Sequence, residues 1–217
     1  MKTPKLVKQL FPRRLWDGPA EGKRLYLTFD DGPIPEVTPW VLEELKRYDA
    51  KATFFCIGDN IAKHPEVYQK VISDGHSVGN HTFNHLNGWK TPVQEYFQNT
   101  EKCRKVMEQH SIVTGKPSEE KALKYNLFRP PYGRIKSRQA RALEKLGYKI
   151  VMWDIISMDY DSIISAENCY RKVADNAKSG SIIVFHDSLK AEKNLRYALP
   201  KILKHFSREG YSFNKLK

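Results

Sequence analysis

Titratable side chains gather at a few points of the chain, and their types suit metal-assisted hydrolysis. Asp30 and Asp31 are adjacent, His81 and His85 are four residues apart, Arg129 stands three residues before Tyr132, Asp154 precedes Asp159, and His186 is followed by Asp187. Two histidines at that spacing face the same way if the segment forms a helical turn, so they can chelate one ion. With a carboxylate from Asp30-Asp31 they make a His-His-Asp set that leaves coordination positions open for water and substrate, as a catalytic divalent metal requires. Zinc is the first choice for these donors, with cobalt, nickel and manganese as alternatives. Taken alone, Asp30-Asp31-Gly32 is also an ordinary turn signal.

What positions these groups is the repeated order of short apolar runs and helical patterns. Runs at 25–27, 51–58, 76–80, 127–129, 148–153, 181–185 and 211–213 read as strands. Helical spacing appears near 39–48, 65–73, from a Thr91-Pro92-Val93-Gln94 capping box to Met107, and over 137–147, 165–178 and 194–208. The stretch 111–124 is polar and loop-like. Continuous apolar strands alternating with helices indicate a parallel sheet buried on both faces. No glycine-rich phosphate turn follows any strand, which argues against a dinucleotide fold. The expected fold class is therefore α/β, a distorted (β/α) barrel of about seven parallel strands in a single domain, 24–217, preceded by a basic N-terminal arm, 1–23. In such a barrel the C-terminal strand ends converge on one face, and each polar group above follows a strand.

Read together, Thr28-Phe29-Asp30-Asp31-Gly32-Pro33, His81-Thr82-Phe83-Asn84-His85, Phe128-Arg129-Pro130-Pro131-Tyr132-Gly133, Trp153-Asp154 through Asp159-Tyr160, and Ile183-Val184-Phe185-His186-Asp187 resemble the five ordered motifs of the polysaccharide deacetylases, the NodB-homology or carbohydrate esterase 4 family. The resemblance covers about residues 24 to 213. It implies that Asp31, His81 and His85 bind the metal, that Asp30 is the base acting on water, and that His186 is the acid protonating the leaving amine. It also implies that Arg129 pairs with Asp30 and Asp159 with His186, and that the backbone N–H of Tyr132 holds the oxyanion. Pro131, Tyr160 and Val184 are the expected substrate-pocket residues. Tyr160 stands where the family usually has tryptophan, and Val184 where leucine is common, so the pocket walls differ while the chemistry is retained. Asp154 and Asp187 are expected to be structural or at the pocket edge.

The activity implied is removal of N-acetyl groups from N-acetylglucosamine-type units of a polysaccharide or oligosaccharide. An O-acetyl esterase and a catalytically silent carbohydrate-binding domain are the alternatives. Composition bounds the partners. Among 217 residues, 37 basic against 25 acidic side chains give a net charge of +12, but the cations are scattered and no basic-aromatic recognition motif accompanies them, which argues against a nucleic-acid partner. No apolar run is long enough to cross a bilayer. Cys56, Cys103 and Cys169 are odd in number and far apart, so free buried thiols are expected. The N-terminus has no secretory pattern, which sets the expectation of a cytoplasmic protein whose arm (Lys2, Lys5, Lys8, Arg13, Arg14) is loosely packed or rests on an anionic membrane surface.

Overall fold

The computed structural model describes residues 1–111 and 126–217, so the stretch expected as a loop at 111–124 lies outside the described residues apart from Ser111. The strands are β1 (Arg24–Asp30), β2 (Thr53–Cys56), β3 (Ser77–Asn80), β4 (Leu127–Phe128), β5 (Lys149–Ile150), β6 (Ile155–Ile156), β7 (Ile182–His186) and β8 (Ser212–Phe213). Seven of them pair in parallel in the order β5-β4-β3-β2-β1-β7-β6, with β8 added to β1. The sheet curls into a half-barrel, as the apolar runs predict. Helices α1 (Lys5–Leu10), α2 (Thr38–Lys46), α3 (Gly58–Lys63), α4 (Pro65–Ser73), α5 (Val93–His110), α6 (Ser137–Lys145), α7 (Ala166–Ala174) and α8 (Glu192–Arg208) complete the described residues.

Strand alternation divides the core in two. Leu25, Leu27 and Phe29 of β1 pack outward with Val41 and Leu45 of α2 and Leu199 and Ile202 of α8. Phe29 stacks between Phe54, at 5.0 Å, and Phe185, at 6.2 Å, and each buried ring of this kind contributes about 1.5–3 kcal/mol. Tyr26, on the opposite face of β1, joins Phe55, Leu127, Val151 and Ile182 in a separate cluster. Thr28 and Asp30 share the face of Tyr26, so the last inward position of β1 is a carboxylate, not an apolar residue.

Several local expectations change. The run at 148–153 is not one strand: after β5 the chain leaves the ladder and resumes as β6, because Val151 and Met152 pair with Leu15 of the N-terminal segment. That segment is docked, not loose. Leu15 bridges Val151, Lys2 bridges Ile155 and Asp17 bridges Ser181, so it touches both ends of the strand order. Lys8 Nζ lies 2.6 Å from Asp154, whose side chain is fully buried and also accepts from Ser181 Oγ at 2.7 Å. Thr91 does not cap α5. Its hydroxyl donates to the Asn87 carbonyl, and Pro92 takes the capping position. No helix of the described residues is long and apolar enough to cross a membrane. Cys56, Cys103 and Cys169 are free and buried.

Candidate active site

The site is built at the C-terminal ends of the strands. Parallel register sets Asp30, the last residue of β1, beside His186, the last of β7. Asp31 follows with φ 81°, a left-handed backbone that turns it away from the strand. His81 follows β3 directly, and His85 reaches the same place through a loop, not the helical turn expected from the spacing: Thr82 and His85 themselves have φ of 63° and 54°. Tyr132, φ 60°, and Met158, φ 66°, complete a cluster of positive-φ residues around one cavity, and such conformations cost energy that surrounding structure must hold in place. This cavity, of about 520 Å³, is lined by Asp30, Asp31, His81, His85, Tyr132, Tyr160 and His186.

Asp31, His81 and His85 each offer one ligand atom, all within 4.8 Å of one another. Asp31 Oδ1 is buried without a hydrogen bond, 3.2 Å from His85 Nε2 and 3.7 Å from His81 Nε2. Each ring is held by its other nitrogen: His81 Nδ1 lies 2.7 Å from the Arg129 carbonyl and His85 Nδ1 3.1 Å from the Tyr132 hydroxyl. A histidine donating from Nδ1 presents the Nε2 lone pair, the arrangement that metal-ligating histidines adopt. Burial pulls the pKa of His81 down to about 4, against the opposing pull of Asp30, so its ring is neutral at neutral pH. Burial pushes the Asp31 carboxyl upward, but His85 beside it, with His186 and His81, holds it well below the usual carboxylate range. An anionic oxygen lacking a donor and two imidazole Nε2 atoms close to it fit a divalent cation.

Two further pairs flank this trio. Arg129 is fully buried, with Nη1 donating to Asp30 Oδ1 and to Thr28 Oγ1, both at 2.7 Å, and Nη2 to the Met152 carbonyl at 2.8 Å. Its guanidinium carbon sits 4.1 Å over the Phe55 ring. His186 Nδ1 lies 2.7 Å from Asp159 Oδ1, while Asp159 Oδ2 accepts from the His186 backbone N–H at 2.8 Å. Burial draws the His186 pKa down, but Asp159 above all, with Asp31 and Asp30, carries it up to about 9. Tyr160 packs edge-on against His186 at 4.8 Å. At neutral pH the cavity therefore holds a protonated imidazole at His186 beside the Asp-His-His trio, with Asp30 paired to Arg129.

Pro131 and Val184 are not brought to the cavity. Val184 lies two residues before His186 on the same strand face, one layer deeper and fully buried, and it is Pro130, not Pro131, that lines the wall. Asp154 is taken up in pairing with Lys8 of the docked N-terminal segment. Asp187 Oδ1 accepts from the Gly32 N–H at 3.1 Å and Oδ2 from Thr38 Oγ1 at 2.6 Å, which ties the Asp-Asp-Gly turn to β7. Sequence reasoning missed Asn60, whose Nδ2 donates to the Asp31 carbonyl at 2.7 Å from the short helix α3, and Met158 and Lys190 in the wall. Asn60 carries no sequence signal beyond following Gly58 at a strand end.

At the strand ends of a curled parallel sheet the structure thus gathers an Asp-His-His trio able to hold a metal ion, the Arg129–Asp30 pair and the Asp159–His186 pair. Residues 17–151 match the polysaccharide deacetylase family model, and the chain belongs to that family of carbon–nitrogen hydrolases. It is 36% identical over 200 residues to a peptidoglycan-N-acetylglucosamine deacetylase of Bacillus cereus, covering 91% of this chain and 88% of the relative. It is also 36% identical over 163 residues to a chitooligosaccharide deacetylase of Azorhizobium caulinodans, with 75% and 73% covered. The crystal structure of the Bc1960 peptidoglycan N-acetylglucosamine deacetylase superposes with a TM-score of 0.85 at 29% identity, over 99% of this chain and 95% of that one.

Proposed function

We propose that this protein removes the N-acetyl group from N-acetylglucosamine-type units of a glycan, with one divalent ion, zinc by preference, held by Asp31, His81 and His85. The observation that carries the reading is the convergence of the three ligand atoms within 4.8 Å in the cavity that also holds Asp30 and His186. The relatives whose names specify N-acetylglucosamine and chitooligosaccharide substrates support it.

The bound ion supplies Lewis acidity, lowering the pKa of water and polarising the acetyl carbonyl. Asp30, oriented by Arg129, takes the proton from the attacking water. As oxygen adds to the amide carbon, negative charge develops on the carbonyl oxygen, which the backbone N–H of Tyr132 receives. His186, with Nδ1 engaged by Asp159, donates the proton on Nε2 to the sugar nitrogen as the carbon–nitrogen bond breaks, giving acetate and a free amine. Water and amide are thus consumed in equal number and no other reactant is needed. The test is acetate release from N-acetylated and O-acetylated oligosaccharides by the wild-type protein and Asp30→Asn. Release from the N-acetylated substrate that Asp30→Asn abolishes is expected; equal release by both proteins would refute the role of Asp30, and release from esters alone would refute the amide substrate.

A further inference from the structure

Residues 1–16 hold five cations and no acidic residue. Three of the cations are answered elsewhere in the fold: Lys2 and Lys8 meet the buried Asp154, and Glu144 acts on Arg14. The side chains of Lys5 and Arg13 are exposed and make no hydrogen bond or ion pair among the described residues. Between them lies an apolar face. Leu6 and Leu10 stand one turn apart on α1 and are 67% and 65% exposed, and Phe11, at the end of the helix, is 39% exposed. Within six residues of chain they supply three of the eleven large apolar side chains exposed among the described residues, so they form a patch and are not scattered singly. The face is held from behind. Val7 packs on the cluster around Trp16, Lys8 closes on Asp154, and the Thr3 N–H donates to the Asp154 carbonyl at 2.7 Å. α1 therefore presents Leu6 and Leu10 outward in a fixed arrangement, with little left to order on binding.

An occupant of this face must be apolar and anionic at once. A nucleic acid or another soluble polyanion would answer Lys5 and Arg13 but leave Leu6, Leu10 and Phe11 in water. An anionic lipid bilayer answers both: leucine and phenylalanine enter the boundary between headgroups and acyl chains, while lysine and arginine stay with the phosphates. The net charge of +12 draws the whole protein toward such a surface. Phe11 also lines a cleft of about 640 Å³ that shares Tyr132, Gly133 and Trp153 with the catalytic cavity, so the face adjoins the site.

We propose that α1 and Phe11 dock on an anionic lipid bilayer and hold the catalytic cavity close to its headgroups. Binding is read by co-sedimentation of the full chain with vesicles of phosphatidylglycerol and phosphatidylcholine in equal parts, beside vesicles of phosphatidylcholine alone. Wild type is compared with Lys5→Gln/Arg13→Gln and with Leu6→Ser/Leu10→Ser. Wild type is expected to sediment with the mixed vesicles and not with phosphatidylcholine alone. The charge variant should bind the mixed vesicles about 25-fold more weakly, at about fivefold for each cation removed. The leucine variant should bind them about tenfold more weakly, because less apolar area enters the bilayer. Both variants change only exposed side chains, so circular dichroism and acetate release from a soluble N-acetylglucosamine oligosaccharide should match wild type. Wild type that fails to sediment with the mixed vesicles, or sediments equally with both kinds, would overturn the proposal. Binding that the charge variant loses and the leucine variant keeps would overturn it too, and would assign the face to a soluble polyanion. Neither result bears on the deacetylase reading, which acetate release tests separately.

Discussion

Replacing Asp159 by asparagine keeps the shape of the side chain and an oxygen able to accept from the His186 backbone N–H, but removes the charge that lies 2.7 Å from His186 Nδ1. Burial already pulls the His186 pKa down, and Asp159 is the largest influence raising it to about 9. Without that carboxylate the imidazolium should fall towards the ordinary histidine value of about 6.5. Protonated imidazole is the active form of a general acid, so activity is lost as pH rises through its pKa. At pH 7.5 only about one molecule in ten of Asp159→Asn would then carry the proton, a loss of roughly tenfold in kcat/KM that recovers on acidification. The assay is acetate release from an N-acetylglucosamine oligosaccharide across pH 5 to 10 for both proteins. A basic limb that stays in place in Asp159→Asn, with activity lowered equally at every pH, would refute His186 as an acid held by Asp159.

The same ion pair acts on stability. A folded pKa of about 9 against 6.5 makes the His186 contribution full below pH 6.5 and lost as pH rises through 9, and urea unfolding at pH 6 and pH 9.5 should differ by up to about 3 kcal/mol more in wild type than in Asp159→Asn. Arg129→Met leaves Asp30 without its buried partner and should cost about 3–5 kcal/mol in urea unfolding, because the partner of a buried pair is left uncompensated. Gly32→Ala places a Cβ 2.0 Å from Asp187 Oδ2, so the turn must shift; a loss of about 1–3 kcal/mol in thermal unfolding is expected, together with lower activity. Asp31→Ala should abolish binding of a stoichiometric divalent ion, read by elemental analysis, while leaving the circular dichroism spectrum unchanged.

The legible parts of the chain were those with local causes. The runs at β1, β2 and β7 are apolar because both faces are buried, and α4 starts at Pro65 and ends at Asp74-Gly75 as its signals dictate. The convergence of Asp30, Asp31, His81, His85, Arg129, Asp159 and His186 was legible because each lies at or after a strand end, and parallel strands bring such positions together. What was not legible depends on distant partners. Lys8 is 146 residues from Asp154, so nothing near either residue announces that the N-terminal segment docks or that the run at 148–153 is interrupted to receive it. The short α3 opens on Gly58, which reads as the end of a strand, and Asn60 was hidden with it. His85 reaches His81 through backbone of positive φ, a conformation that glycine would have signalled and the β-branched Thr82 does not.

Whether Asp31, His81 and His85 hold the ion on which deacetylation depends is read in acetate release from an N-acetylglucosamine oligosaccharide before chelation, after it, and after one equivalent of zinc is restored. Activity should be lost on chelation and return with zinc in wild type, with no return in Asp31→Ala. Acetate release that persists in protein shown by elemental analysis to be free of divalent metal would contradict that dependence.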